Sequence, residues 1–224
     1  MTEPGLARAC SPIMMWLMQL ADGVFKVDGV RVANVYLMVT QDGLLLVDTR
    51  PPGSAKRILG FIEGLGRQPR DLRDIVLTHC DIDHVGSVAE LKARTGARVA
   101  IHELDAPVLS GEQHPQKGGF AMIALYRLLR FRPIAPDLRL RDGDTIGGLK
   151  VIHVAGHTAG SIALASDDGV VFSGDALRSD KHGNLLPPDP RLALDPAQAS
   201  VSAELIKARH AGLLLTGHGA AVCA

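Results

Sequence analysis

Aromatic residues are scarce: one tryptophan, two tyrosines and five phenylalanines make up 4% of 224 residues. Proteins that grip single-stranded nucleic acid stack its bases on aromatic rings, so that class of function is disfavoured. Neither sign of charge is in excess. The 24 basic and 24 acidic residues cancel, which leaves no electrostatic footprint for nucleic acid or an anionic membrane. Cysteines are few and far apart, at Cys10, Cys80 and Cys223. They suggest no disulfide framework and point to a reducing, cytoplasmic setting. The apolar segment 13–18 is too short to span a bilayer. Pro12 interrupts its start and no small-x-small cleavage site follows, so residues 1–20 read as an N-terminal extension or strand rather than a signal. A linker rich in proline, serine or charge is also missing. With 46% hydrophobic residues, the chain can build a sizeable core in a single domain.

What the sequence has instead is a recurrent pattern of short apolar runs that end in polar residues. Residues 24–27 and 34–39 read as strands, and Asp42-Gly43 is a hairpin signal ahead of a strand over 44–47. Residues 54–66 place Ile58, Leu59, Ile62 and Leu65 on one helical face. Residues 75–77 form a buried strand, 86–94 a helix and 98–102 another strand. The stretch 120–131 predicts an amphipathic helix, closed by Pro133 and Pro136. It lies in a long excursion, residues 103–137, that exceeds what a core connection needs and is expected to border the active site. Strands at 149–154, 162–165, 170–173 and 213–215 and a helix over 196–210 complete two similar halves, 20–101 and 138–220.

The densest signal is His79-Cys80-Asp81-Ile82-Asp83-His84, two imidazoles and two carboxylates directly after an apolar strand. Three other strand ends repeat it: Gly156-His157-Thr158-Ala159-Gly160-Ser161, Ser173-Gly174-Asp175 and Thr216-Gly217-His218-Gly219. A lone histidine is more often structural than a ligand, and His102, His114 and His210 carry only that plain reading. Four loops with one pattern point to a metal site displayed at strand ends, with glycine permitting close backbone approach. Cys80 reads as a small buried side chain rather than a nucleophile.

These motifs, in this order and spacing, resemble the metallo-β-lactamase superfamily. Its pattern is H-x-H-x-D-H-x-G, a histidine in Gly-His-Thr-x-Gly-Ser, then Gly-Asp, then a final Gly-His-Gly. Asp48-Thr49-Arg50 is similar to the family's Asp-Thr-Gly turn, with arginine in place of glycine. The resemblance runs from about Asp22 to His218. It implies an α/β fold, a four-layer αββα sandwich of two mixed β-sheets with helices outside. It also implies two divalent metal ions, zinc by default with iron or manganese as alternatives. His79, Asp81 and His157 would hold the first ion. Asp83, His84 and His218 would hold the second, and Asp175 would bridge both. Asp83 would in addition be catalytic, orienting a metal-bound hydroxide and passing a proton to the leaving group. Thr78, Ser161, Asp48 and His153 are candidates to orient the imidazoles, and His153 reads equally well as a packed strand residue.

Asp81 departs from the pattern, standing where the family usually has a histidine. The extra carboxylate makes the implied cluster formally neutral rather than positive, which weakens the metals as Lewis acids. It also gives the first position two histidines and one carboxylate, a set that resembles non-haem iron ligation. The resemblance therefore implies a hydrolase acting on a small ester, thioester or lactone. The alternative is an iron-dependent, sulfur-dioxygenase-like oxidative member, with β-lactam and phosphodiester hydrolysis ranked below. Tyr126, Arg178 and His182 are candidate substrate contacts. The expected partner is a small molecule, with no nucleic acid or membrane, and a homodimer is compatible with the sequence.

Overall fold

The computed structural model describes residues 17–27, 32–117, 119–129, 131–209 and 212–223. The expectations for Cys10, the apolar segment before Leu17 and His210 fall outside what is described. The first sheet has seven strands in sequence order: β1 (Leu17–Ala21), β2 (Val24–Val27), β3 (Tyr36–Thr40), β4 (Gly43–Val47), β5 (Leu72–Val76), β6 (Arg98–His102) and β7 (Leu138–Leu140). β1 to β4 pair antiparallel, and β4 to β7 pair parallel. Parallel neighbours need crossovers. Helix α1 (Ala55–Gly64) supplies one, α2 (Ile82–Val85) and α3 (Val88–Thr95) the next, and α4 (Ala106–Leu109) and α5 (Gly119–Leu128) lie in the third.

The second sheet contains β8 (Thr145–Ile146), β9 (Leu149–His153), β10 (Ile162–Ala165) and β11 (Val170–Gly174). A small hairpin, β12 (Arg178–Ser179) and β13 (Leu185–Leu186), and helix α6 (Pro196–Arg209) follow. β14 (Leu213–Thr216) then returns parallel to β11, and β15 (Val222–Cys223) closes the edge.

Alternation along the strands builds the layers, because successive strand side chains point to opposite faces. Leu45 and Val47 of β4 meet Val151, Leu164, Phe172 and Leu215 between the two sheets. Leu44 and Leu46 point the other way, against Ile58, Leu59 and Ile62 of α1 and Val88 and Leu91 of α3. On the far side, Ile152, Ala163, Val171 and Leu214 cover Ala203 and Ile206 of α6. The buried α6 residues Ala199, Ser202, Ala203 and Ile206 recur at helical spacing. The order is helix, sheet, sheet, helix, an αββα sandwich of mixed sheets.

One boundary of the two halves needs correction. Leu138–Leu140 was expected to open the second half, but β7 pairs with β6 as the last strand of the first sheet. The Asp137 carboxylate holds it there, accepting from Val99 N at 2.7 Å and Lys92 Nζ at 2.6 Å. Among the described residues, no helix is long and apolar enough to cross a membrane.

Candidate metal centre

The seven ligand-type residues converge from the C-terminal ends of four strands: β5 (His79 to His84), β9 (His157), β11 (Asp175) and β14 (His218). The first run is not wholly a loop. Residues Ile82–Val85 form the single helical turn α2, which buries Ile82, Val85 and the His84 ring. Three overlapping groups result, His79-Asp81-His157, His79-His84-Asp175 and Asp83-His84-His218, each with ligand atoms within 4.8 Å of one another.

The spacing suits metal ions. Two ligands about 2.1 Å from a tetrahedral ion lie about 3.4 Å apart. His79 Nε2 is 3.5 Å from Asp81 Oδ2, and His218 Nε2 is 3.4 Å from Asp83 Oδ2. His84 Nε2 and His218 Nε2 face each other at 3.4 Å. Asp175 reaches both groups, with Oδ1 3.4 Å from His84 Nε2 and Oδ2 3.5 and 3.3 Å from His157 and His218 Nε2. Two buried atoms of the cluster, His79 Nε2 and Asp175 Oδ1, have no hydrogen-bond partner. Buried polar atoms left so are costly unless something else is bound. The donor set therefore fits two divalent ions.

Asp48 orients two of the imidazoles. Its carboxylate accepts from Thr78 N at 2.8 Å, from Thr78 Oγ1 at 2.8 Å and from His84 Nδ1 at 2.8 Å. Thr78 Oγ1 also lies 3.0 Å from His79 Nδ1. The hydroxyl has one proton and gives it to the carboxylate, so His79 Nδ1 must be the donor to it. One buried carboxylate thus fixes the tautomer of His79 and His84 and leaves both Nε2 lone pairs facing the cluster. Asp48 and Arg50 adopt φ of 64°, a left-handed conformation that glycine takes at no steric cost. Arg50 is buried there, with its guanidinium donating to the Val27 and Ala33 carbonyls.

Three supports escaped the sequence reading. The buried Asp105 carboxylate accepts from Cys80 N at 2.9 Å, Gly160 N at 2.8 Å and Thr158 Oγ1 at 2.8 Å, tying the β5 loop to the His157 loop. It follows the apolar β6 as the ligand runs follow their strands, and that signal was available. Asn34 and Tyr36 hold the His218 loop through the Thr216 carbonyl, at 2.8 and 2.7 Å. Gly217 is required by space, because a Cβ there would lie 2.1 Å from Asp175 Oδ1. Ser161 and His153, expected to orient imidazoles, instead brace the backbone of the His157 loop. Ser161 Oγ accepts from Thr158 N at 3.0 Å, and His153 Nε2 is 2.9 Å from the Ala159 carbonyl while its ring stacks on His102.

A further unforeseen residue at the cluster is Lys117. Its ammonium touches Asp81 Oδ2 and lies 2.7 Å from His157 Nε2 and 3.0 Å from the Leu192 carbonyl.

The candidate substrate contacts fare differently from the ligands. Tyr126 is buried, and its hydroxyl donates to the Cys80 carbonyl, so it ties α5 to the metal loop rather than presenting a free hydroxyl. Arg178 donates to the Pro187 carbonyl at 3.4 Å, within the β12–β13 hairpin. His182 is exposed in the turn of that hairpin, its backbone N–H donating to Asp180. Cys80 is buried, and burial first, then Asp105 and Asp81, pushes its thiol up, as suits an unreactive side chain.

Electrostatics make metal and proton competitors. Burial opposes charge on His84, but Asp175, Asp48 and Asp83 outweigh it and raise the imidazole to about 9. Burial is likewise outweighed at His218, raised to about 10 by Asp175 and Asp83. At Asp81 and Asp175 burial is outweighed by the surrounding imidazoles, which hold both carboxyls well below the usual range. In the metal-free protein the surrounding carboxylates therefore favour the protonated forms of His84 and His218 at neutral pH. A metal binds only the deprotonated rings, so raising the pH removes protons that the ion must otherwise displace. Metal affinity is expected to rise by roughly tenfold per pH unit for each proton displaced, and to level off above these values. Isothermal titration in buffers of different ionisation enthalpy measures the release; a pH-independent affinity with no proton release would contradict it.

The comparisons with known proteins identify the family and the fold. Residues 28–218 match the family model of the metallo-β-lactamase superfamily. The uncharacterized protein YobT of Bacillus subtilis is 32% identical, over 83% of this chain and 82% of that protein. A hydroxyacylglutathione hydrolase of Pseudomonas syringae is 37% identical over 62% of this chain, but the match spans 46% of that enzyme, about half its length. Among solved structures, TTHA1623 in a di-iron-bound form superposes with a TM-score of 0.66 at 27% identity, covering 88% of this chain and 92% of that one. From the family match over residues 28–218 and the αββα architecture, the chain belongs to the metallo-β-lactamase superfamily.

Proposed function

We propose that this superfamily member, a metallo-hydrolase, cleaves small esters, thioesters or lactones at two divalent metal positions. The observation that carries the reading is the shared carboxylate: Asp175 lies within 3.5 Å of imidazoles from both positions, with a buried oxygen that has no hydrogen-bond partner. When bound, the ions supply Lewis acidity and a water acidified towards neutrality. The chain's own groups do the rest. Asp48 and Thr78 hold the His79 and His84 rings by their Nδ1 atoms. Asp83, whose carboxyl is held down by His218 and His84 despite burial, is ionised at neutral pH and free to accept a proton and hand it to the leaving group. Residues 103–137 contribute a cavity of about 180 Å³ lined by Val108, Ile123, Tyr126 and Phe131 together with Gln113, His114 and Arg127, and none of the seven candidate ligands lines it. The name of the Pseudomonas relative, a hydroxyacylglutathione hydrolase, supports the thioester within this range, because an acyl group on the glutathione thiol is a thioester.

A second reading rests on Asp81. Two histidines and a carboxylate at the first position suit iron, and a similar structure is di-iron-bound. Elemental analysis of purified protein, paired with turnover of a thioester, ester and lactone panel and with oxygen uptake, separates the two. Zinc or mixed metal with hydrolytic turnover is the expected result. Iron with oxygen uptake and no hydrolysis would overturn the hydrolase reading.

A further inference from the structure

Lys117 shares its partners with the first metal position. Its side chain is 13% exposed, and its three N–H donors meet Asp81 Oδ2, His157 Nε2 and the Leu192 carbonyl. Two of those atoms belong to the His79-Asp81-His157 group. A carboxylate oxygen has lone pairs for two partners. A neutral imidazole nitrogen has one, in the plane of the ring. His157 Nε2 lies 2.7 Å from Lys117 Nζ and 3.0 Å from Asp81 Oδ2. An ammonium can only donate, so beside Lys117 the ring takes the tautomer whose Nε2 lone pair accepts, and that lone pair cannot bind a metal at the same time.

The sequence departs from the superfamily pattern at the same place. Where that pattern has a second histidine, this chain has Asp81. A carboxylate pairs with an ammonium through a charge-assisted hydrogen bond, whereas an imidazole in its place would offer no opposite charge. Asp81 and Lys117, 36 positions apart in the chain, are therefore complementary. No such competitor touches the ligand atoms of Asp83, His84 or His218 among the described contacts.

We propose that Lys117 is an internal competitor for the first metal position: its ammonium and the ion are alternative partners of the His157 Nε2 lone pair. The Asp83-His84-His218 position, with Asp175, fills first. The His79-Asp81-His157 position fills only as Lys117 leaves, which also breaks its bond to the Leu192 carbonyl. The inference rests on the two-metal reading and adds an order of loading to it.

Titration of metal-free full-length protein with Co²⁺ tests it, with bound metal counted after gel filtration and the visible spectrum followed at each step. Wild type is expected to take one equivalent tightly and the second about tenfold or more weakly. In Lys117→Met the second step tightens by about that factor while the first is unchanged, and Lys117→Gln lies between. Retention of the tight first equivalent shows that the variants are folded. Equal second-step affinity in wild type and both variants would overturn the role of Lys117 and leave the two-metal reading standing. Absence of any uptake in all three proteins would overturn that reading along with the inference.

Discussion

Asp175→Asn is expected to lose about a thousandfold or more in kcat/KM on the best ester or thioester substrate, the scale of several kcal/mol of Lewis-acid stabilisation. Asp175 sits between imidazoles of both positions, 3.4 Å from His84, 3.5 Å from His157 and 3.3 Å from His218. An amide keeps one acceptor oxygen and turns a donor NH₂ towards the other group. It also removes the negative charge that offsets the cations, in a place where burial makes every uncompensated charge costly. The amide is nearly the same size, so the cradle formed by Gly217 still accommodates it. The fold should therefore form but melt below wild type, because protonated His84 and His218 lose an opposing charge, while bound metal falls below two ions. Elemental analysis and circular dichroism melts read the two effects separately. A variant that keeps both ions and full turnover would remove Asp175 from the site.

Asp48→Ala is expected to destabilise the protein by about 3–5 kcal/mol, the cost of breaking a buried charged network from one side. For a chain of this size that is a fall in Tm of roughly 10 °C. The carboxylate is 2% exposed and accepts three hydrogen bonds, from the Thr78 backbone, the Thr78 hydroxyl and His84. Alanine strands all three donors and is strained at the φ of 64°. Asp48→Asn separates the causes. Asparagine tolerates that backbone and keeps one acceptor, so its loss of stability should be about half, while metal affinity still falls by about 10- to 100-fold because His84 loses its charged partner. Wild-type melting and metal uptake in Asp48→Ala would show that the Asp48–Thr78 relay does not hold the ligands.

The candidate ligand residues were legible because each follows an apolar strand, and strand ends at the carboxyl edge meet in this architecture. That logic finds His79, Asp81, Asp83, His84, His157, Asp175 and His218 without knowing a distance, and the αββα layering follows from strand alternation and the family pattern. It fails where the partner is fixed by tertiary geometry. Lys117 lies in a stretch with no periodicity, and nothing local says that its ammonium reaches Asp81 and His157. Tyr126 is legible as one face of a helix, but whether that face meets a substrate or the Cys80 carbonyl is decided by how α5 is laid down. A three-residue strand such as Leu138–Leu140 carries too little pattern to name its sheet, and the Asp137 contacts decide it. Asp105 is the instructive omission, because it follows β6 just as the ligands follow their strands.

The facing imidazoles of His84 and His218 come from opposite sheets, 134 positions apart in sequence. An ion held by both is a cross-link, and in polymer terms it closes a loop whose formation the unfolded chain resists. A covalent bridge over a loop of that order contributes roughly 5 kcal/mol by removing unfolded conformations. Cys80 and Cys223, the two cysteines described, are both free, so the ion would take the part that a disulfide plays in secreted domains. A chelator would then act on this fold as a reductant acts on those, loosening the join between the two sheets before it disturbs either one.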